Sequence, residues 1–433
     1  MTRVLVPGDK SISQRALIFG ALADGVSRLR GVLAGEDARS TAAALRALGA
    51  GIPELPEDGS EIAVRGVGLG GLVPPERRLD LGNSGTGARL LLGVLAGSGL
   101  EAVVTGDASL RSRPMRRIVD PLTELGASFE ALERDGRLPL RVRGAGRART
   151  LAWSSPVASA QVKSAILLGG VVGGAAVSVS EPHRSRDHSE RMLRAMGATV
   201  LAGESPEASG WRVDMPMPPS RLAPLDYAVP RDPSSAAFAA AAAVVGATDG
   251  ELELPGVGLN PHRIAFFKVL RRMGADVKVD HRRHAGNPSA DFEPVGEVRA
   301  GPSNLRGLEI LPQEVPGMID ELPLLAVLGA VAEGETVISG AGELRAKESD
   351  RISALVTNLR AVGAQVEERP DGLTVFGSRS PLQGRVRAFA DHRIAMAFAV
   401  LGRIPGNEIQ IDTPEVAAVS YPGFWRMLAE TCA

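Results

Sequence analysis

One unit occurs six times along this chain, and no other feature constrains the fold as strongly. Half of the unit is a small-residue helical stretch that ends in Gly or a turn and runs into a strand. It reads SISQRALIFGALADGVSRLRG, GNSGTGARLLLGVLAGSGLEAVVTGD and SAQVKSAILLGGVVGGAAVSVSEP in the first part of the chain. It returns as DPSSAAFAAAAAVVGATDGELELPG, MIDELPLLAVLGAVAEGETVISGAG and DHRIAMAFAVLGRIPGNEIQID. From Ser11 through Asn83, Gln161, Ser234 and Ile319 to His392 the steps are about 72, 78, 73, 85 and 73 residues, a steady long period.

The other half is an amphipathic helix closed by Gly-Ala and followed by a strand: LRALGA, LTELGAS, MLRAMGATV, VLRRMGADVKV and NLRAVGAQVEE, with a truncated sixth copy, FWRMLAETCA. Gly49, Gly126, Gly197, Gly274 and Gly363 fit the left-handed position just past a helix end. The first helix of each unit is apolar all round and is expected inside; the second carries charge on one face and is expected at the surface. Each repeat therefore reads as strand–helix–strand–helix–strand. The proline-rich stretch MPMPPSRLAPLDYAVPRDP precedes the fourth unit and suits a crossover, leaving three units on either side. The strand TRVLVPG is too short to stand alone and is expected to pair with the later half. The domains predicted are 1–9 plus 230–433, and 10–229.

At 433 residues the chain is too long for one core, which agrees with that division. Charged residues make up 23% and the formal net charge is −1, so no global field draws the protein to nucleic acid or to anionic membrane. Aromatic residues are only 3%, against 51 glycines, which argues for close backbone packing and against single-stranded nucleic-acid binding by stacking. Cys432 is the single cysteine, so neither an intrachain disulfide nor a thiolate-rich metal site is expected. With no apolar signal core in MTRVLVPGDK and no uninterrupted spanning run, a cytoplasmic protein is expected.

Polar residues collect where the buried helices start: Lys10-Ser11 with Arg15, Asn83-Ser84-Gly85-Thr86 with Arg89, Ser159-Ala160-Gln161 with Lys163, Asp232 with Ser234-Ser235, Asp320-Glu321, and Asp391-His392-Arg393. The second helices are read as opening on charge too, with Arg113 in RSRPM, Arg186 in SRDHSE, and Lys347, Glu348 and Arg351 in RAKESDR, where Lys347 and Arg351 would share one helix face. Ser, Asp and Asn are ordinary N-caps. Lys10, Arg113, Arg351 and Arg393 are not, because a cation at a helix start opposes the dipole. Their repeated placement points to bound anions.

Other motifs are set aside. GVGLGG at 66–71 resembles a dinucleotide loop but runs into Val73-Pro74-Pro75 rather than a helix, and GDKS at 8–11 lacks the remainder of a phosphate loop. His183 and His188 near Asp187 match no standard ligand spacing, so no metal and no cofactor are expected.

Taken jointly and in order, PGDKSISQRA, GNSGTGARL, RPM, SAQVKSAILL, SRDHSE, IDELP, KESDRI and DHRIAMA resemble the 5-enolpyruvylshikimate-3-phosphate (EPSP) synthases nearly end to end. The resemblance implies an α/β fold of two domains, each of three repeated βαβαβ-type units with buried helices and outer sheets, the inside-out α/β barrel of enolpyruvyl transferases. It implies a transferase of the shikimate pathway to aromatic amino acids, a glyphosate target, acting on shikimate 3-phosphate and phosphoenolpyruvate. Shikimate 3-phosphate is expected at Lys10, Ser11, Arg15, Ser159, Ala160, Gln161, Arg186, Asp320 and Lys347. Phosphoenolpyruvate is expected at Lys10, Asn83, Gly85, Thr86, Arg113, Gln161, Arg351 and Arg393. Asp320 matches the base for the 5-hydroxyl, Glu348 the acid that protonates the methylene carbon, and Lys10 assists as a catalytic cation. A monomer is expected, with cationic helix starts that close on an anionic ligand and compact the protein in solution scattering.

Two positions depart from the family pattern. Val419 stands where many members carry Lys, so one donor cation is missing or supplied elsewhere, and Ala160 replaces a Ser found in some members. The sister transferase acting on UDP-N-acetylglucosamine uses a loop Cys that GDASLRSRPM lacks. An RNA 3′-phosphate cyclase would want a basic surface. A non-enzymatic anion-binding scaffold would need the cations but neither Asp320 nor Glu348.

Overall fold

Small residues decide how the repeats pack. The computed structural model describes residues 2–205, 210–246, 250–281 and 293–431, and Cys432 lies outside the described residues. Two compact units emerge: residues 1–9, 230–286 and 294–433 form one, and residues 10–229 with 287–293 the other. In the 10–229 unit the inner helices are Lys10–Leu22, Gly85–Gly97 and Ala160–Gly173; in the 230–433 unit they are Pro233–Val245, Leu322–Gly329 and His392–Leu401. Almost every residue of these helices is buried, including the whole alanine run of Pro233–Val245 apart from its last residue. The backbones touch: a Cβ at Gly93 would lie 2.3 Å from the carbonyl oxygen of Ala165 and 2.7 Å from its Cα. Gly93→Ala is therefore expected to destabilise the protein by about 1–3 kcal/mol, read as a lower denaturation midpoint, because a backbone cannot step aside as a side chain can.

Outer helices and sheets cover this interior, giving a mixed α/β fold with helices inside and sheets outside. Sheets belong to the repeats: among the described residues there are six, one for each copy. The second and third repeats of the 10–229 unit show the pattern. Strand Leu79–Asp80 runs parallel to Glu101–Thr105 across the inner helix, and the outer helix Arg116–Glu124 leads into the antiparallel pair Ser128–Ala131 and Leu140–Arg143. Strand Leu151–Ser154 likewise pairs in parallel with Val177–Glu181. The repeat thus ends in a two-stranded hairpin rather than the single strand expected. Its closing strand follows a turn, ERDGR in the second copy, and is short enough to be read as part of a loop.

At the first and fourth repeats the pattern is exchanged. Strand Thr2–Arg3, which precedes the helix Lys10–Leu22, pairs in parallel with Leu252–Gly258 of the fourth repeat. Strand Asp226–Ala228, which precedes the helix Pro233–Val245, pairs in parallel with Val26–Arg30 of the first. The sixth repeat keeps only the parallel pair Gln383–Val386 and Glu408–Ile411 before the final helix Phe424–Thr431.

The Gly-Ala motif has a clear local basis. Gly49, Gly126, Gly197, Gly274 and Gly363 all have positive φ, each one residue past the C-cap of its helix. In four of the five copies the motif's arginine spans the turn: Arg46, Arg194, Arg271 and Arg360 donate to the carbonyls of Ile52, Val200, Val277 and Val366 at 2.7, 2.7, 3.0 and 3.2 Å. The cation thereby sits over the negative end of the helix dipole while tying it to the next strand. No helix of the described residues is long and apolar enough to cross a membrane.

Candidate active site

Each unit carries its own polar cluster, and each cluster is built from helix ends. In the 10–229 unit Lys10 is the first residue of its helix, and its ammonium pairs with the buried Asp37 at 3.0 Å. Asp37 lies in the first turn of the helix Glu36–Ala47, where a carboxylate suits the dipole. One turn on from Ser11, Arg15 is only 3% exposed. It donates to the Ser11 carbonyl at 3.0 Å, to Ser189 Oγ at 2.9 Å and to Ser164 Oγ at 3.2 Å.

The Gly82–Gly87 loop makes the second part. Ser84 caps the helix Gly85–Gly97 by accepting from the Gly87 N–H at 3.1 Å, which turns Asn83 outward. The Asn83 amide donates to Asp107 at 2.7 Å, and its oxygen accepts from Arg113. Arg113 does not open a helix: it is the C-cap of the short helix Ala108–Ser112, and the following outer helix starts at Arg116. A cation there agrees with the helix dipole instead of opposing it. Gly85 lies against two guanidinium groups, since a Cβ on it would stand 3.0 Å from Arg113 Nη1 and 3.1 Å from Arg89 Nη1. Arg89 donates to Gln161 Oε1 at 2.8 Å, and Gln161 Nε2 donates to Thr86 Oγ1 at 3.0 Å. Asn83, Gly85, Thr86, Arg113 and Gln161 thus come together around Arg89, which is not among the substrate contacts expected from the sequence. Its sequence signal is its spacing, one helical turn beyond Gly85.

The third inner helix of this unit starts at Ala160 with Ser159 as N-cap, whose Oγ accepts from Val162 N at 3.5 Å. Arg186 is half-buried in the loop before the helix His188–Ala195. Beside it Asp187, His188 and Glu293 bring ligand atoms within 4.8 Å of one another. Arg191 holds Asp187 at 2.9 Å, and His188 Nδ1 lies within hydrogen-bond distance of Glu293, at 2.7 Å.

In the 230–433 unit Arg351 is the centre. It is 1% exposed and is the first residue of the helix Arg351–Ala361, capped by Asp350. Asp391 takes its Nε at 2.8 Å, Glu348 takes Nη2 at 2.7 Å, and Asp320 stands 3.5 Å from Nη1. Burial pulls the guanidinium pKa down, but Asp391 and Glu348 outweigh it and leave it far above its ordinary value. Asp391 also caps the helix His392–Leu401 by accepting from Arg393 N at 2.9 Å. The Arg393 guanidinium lies 3.9 Å from Glu321 and 5.8 Å above the ring of Phe238, a cation–π distance.

Lys347 and Arg351 do not share a helix. Lys347 caps the end of the 3-10 turn Gly342–Ala346, and the helix begins only at Arg351 because Asp350 caps it. Desolvation lowers the Lys347 amine below its ordinary pKa; Asp320 and Glu343 oppose that shift and Arg351 adds to it. Asp320 and Glu321 stand just ahead of the helix Leu322–Gly329. Carboxylates therefore do part of the work expected of bound anions: Asp37 for Lys10, Glu321 for Arg393, and Asp391, Glu348 and Asp320 for Arg351.

A family model for EPSP synthase (3-phosphoshikimate 1-carboxyvinyltransferase) matches residues 1–428. The 3-phosphoshikimate 1-carboxyvinyltransferase of Xanthomonas campestris pv. campestris is 49% identical over 421 residues, covering 97% of this chain and 92% of the relative. That of Gloeobacter violaceus is 48% identical over 428 residues, covering 98% and 95%. Among solved structures, EPSP synthase from Acinetobacter baumannii aligns with a TM-score of 0.83 at 39% identity, covering 99% of this chain and 95% of that one. The enolpyruvyl transferase NikO from Streptomyces tendae aligns with a TM-score of 0.74 at 21% identity over 100% of this chain and 94% of its own, a likeness of fold.

Proposed function

The chain belongs to the EPSP synthase family, and from that premise we propose how its residues divide the work. The reaction joins the 5-hydroxyl of shikimate 3-phosphate to C2 of phosphoenolpyruvate and releases phosphate. The relatives' names support this transfer rather than one to UDP-N-acetylglucosamine or a binding scaffold without turnover. As the hydroxyl adds, its proton passes to Asp320 while Glu348 protonates the methylene carbon to a methyl group. In the second half a methyl proton returns to Glu348, the C2–O bond to phosphate breaks, and Asp320 gives its proton to the departing phosphate. Atoms and charge balance without a covalent enzyme intermediate.

The observation that carries these roles is the shared guanidinium: Asp320 and Glu348 both lie against Arg351, at 3.5 and 2.7 Å. Glu348 and an anionic donor would therefore compete for one guanidinium. An anionic donor that takes over the Arg351 charge frees Glu348 to act as the general acid that the methylene carbon requires. Lys347, with its weakened hold on a proton, is placed with Asp320 at the acceptor hydroxyl. Arg393 and Arg351 hold the donor from the 230–433 unit. In the 10–229 unit Arg113, Asn83, Gly85, Thr86 and Gln161 are assigned to the donor. Lys10, Ser11, Arg15, Ser159, Ala160, Gln161 and Arg186 are assigned to the acceptor, with Lys10 also reaching the donor. Cations assigned to the donor in this way stabilise the charge that builds on it.

The test is phosphate release with each substrate alone and with both. Release is expected only with both, and release from phosphoenolpyruvate alone would overturn the reading. A cytoplasmic monomer belongs to the same proposal. Its expected light-scattering mass is that of one chain, 45.1 kDa.

A further inference from the structure

Behind the start of the helix Ala160–Gly173 lies an ionic cluster to which the reaction above gives no task. The Lys163 ammonium lies 3.1 Å from Glu181 and 2.8 Å from Glu190, and all three side chains are at most 1% exposed. Burial pulls the Lys163 pKa down, but Glu190 and Glu181 outweigh it and the net shift is upward, so the lysine keeps its proton between the two carboxyl groups. Replacing buried ion pairs with apolar residues is often neutral or stabilising, so packing alone does not account for three ionisable groups here.

Glu181 shows what they do. Its Oε1 accepts the backbone N–H of Ser159 at 2.7 Å and the Ser185 hydroxyl at 2.9 Å, while Oε2 lies 2.7 Å from that hydroxyl and 3.1 Å from Lys163. Ser159 is the N-cap of the helix, with its own Oγ turned to Val162 N and its carbonyl taking Lys163 N at 3.1 Å. That leaves the N–H groups of Ala160 and Gln161 as the pair with no acceptor in the helix itself, aligned with the positive end of its dipole. Their direction depends on the peptide of Ser159, which the Glu181 carboxylate grips. Lys163 sits in the first turn of the same helix, so one helix end supplies both the clasped peptide and the cation that anchors the clasp.

We infer that Glu181 is a positioning residue for the acceptor's phosphate, held in place by Lys163 shared with Glu190. The inference rests on the reading that Ser159, Ala160 and Gln161 receive that phosphate. It predicts an effect confined to the phosphate: shikimate, which lacks it, is the control ligand.

The experiment measures dissociation constants of shikimate and of shikimate 3-phosphate by calorimetry, without donor, beside a thermal melt. In Glu181→Ala the preference for the phosphorylated ligand is expected to fall about tenfold, the scale of a charged hydrogen bond, with shikimate binding unchanged. Glu181→Gln is expected to retain most of the preference, because its amide oxygen still meets Ser159 N–H and Lys163 keeps Glu190 as its partner. Should Glu181→Ala not fold, Glu181→Asp carries the same expected fall, since its carboxylate stays beside Lys163 but stops one methylene short of Ser159. An unchanged preference in these variants overturns the proposal, as does equal weakening of both ligands with a lowered melt, which marks a purely structural role. The variant Ala160→Pro, which removes the Ala160 N–H at a first helical position where proline is tolerated, separates the two failures. If it leaves the preference intact, the phosphate is held elsewhere and the reading beneath falls; if it lowers the preference while Glu181→Ala does not, only the role of Glu181 falls.

Discussion

Glu348→Gln and Asp320→Asn are each expected to lower kcat by about a hundredfold or more while leaving shikimate 3-phosphate binding and the thermal melt close to unchanged. The geometry explains why the fold should survive. Arg351 is fully buried and needs a carboxylate, but Asp391 holds it through Nε at 2.8 Å and Nη2 at 3.3 Å and is untouched in both variants. Each amide is isosteric with the acid it replaces, so Arg351 keeps an oxygen acceptor at either site. What is lost is the proton that Glu348 must deliver and the pair of electrons that Asp320 must offer. Steady-state kinetics with both substrates, beside calorimetry with the acceptor alone, checks the prediction. A near-normal kcat in either variant removes that residue from its role.

Gly85→Ala is expected to raise KM for phosphoenolpyruvate, and the inhibition constant of glyphosate with it, by about one to two orders of magnitude. The new methyl would stand 3.0 and 3.1 Å from the guanidinium groups of Arg113 and Arg89, closer than carbon tolerates without a shift. Neither arginine yields freely. Arg113 is tied to Asn83 and Ser109, and Arg89 to Gln161, so displacing one drags the rest of the loop. Gly85 is helical with an ordinary negative φ, and alanine there brings no backbone strain. Shikimate 3-phosphate affinity measured alone should scarcely move. Unaltered donor kinetics would defeat the reading, and loss of both substrates with a lowered melt would indicate misfolding instead.

Much of this was legible in the sequence because it is local. A glycine after a helix, an alanine run inside one and a serine or aspartate before one each act within a few residues, and the repeat displays them several times over. The closing strands of the hairpins are absent from the sequence reading because runs of four to seven residues show too little alternation to separate from a loop. Arg113 and Lys347 were misplaced by one element, since Asp107 and Asp350 cap helices whose boundaries shift which residues come first. The Glu181 clasp had no signal: Ser159 and Glu181 are 22 residues apart, and a glutamate closing a strand ordinarily reads as solvated surface. Arg89 was visible at its helix start, but only its distance to Gly85 gives it weight.

The exchanged strands have a consequence for how the chain is made. Thr2–Arg3 finds its partner in Leu252–Glu253, roughly 250 residues later, so on a ribosome elongating at 5–20 residues per second this strand waits roughly 10–50 s for its sheet. The 10–229 unit, by contrast, receives its borrowed strand Asp226–Ala228 as its own last residues emerge. Translation thus delivers one unit nearly whole, lacking Glu293 beside His188, while the other still lacks most of its chain, and Thr2–Arg3 waits longer for its partner than any other strand of the described residues.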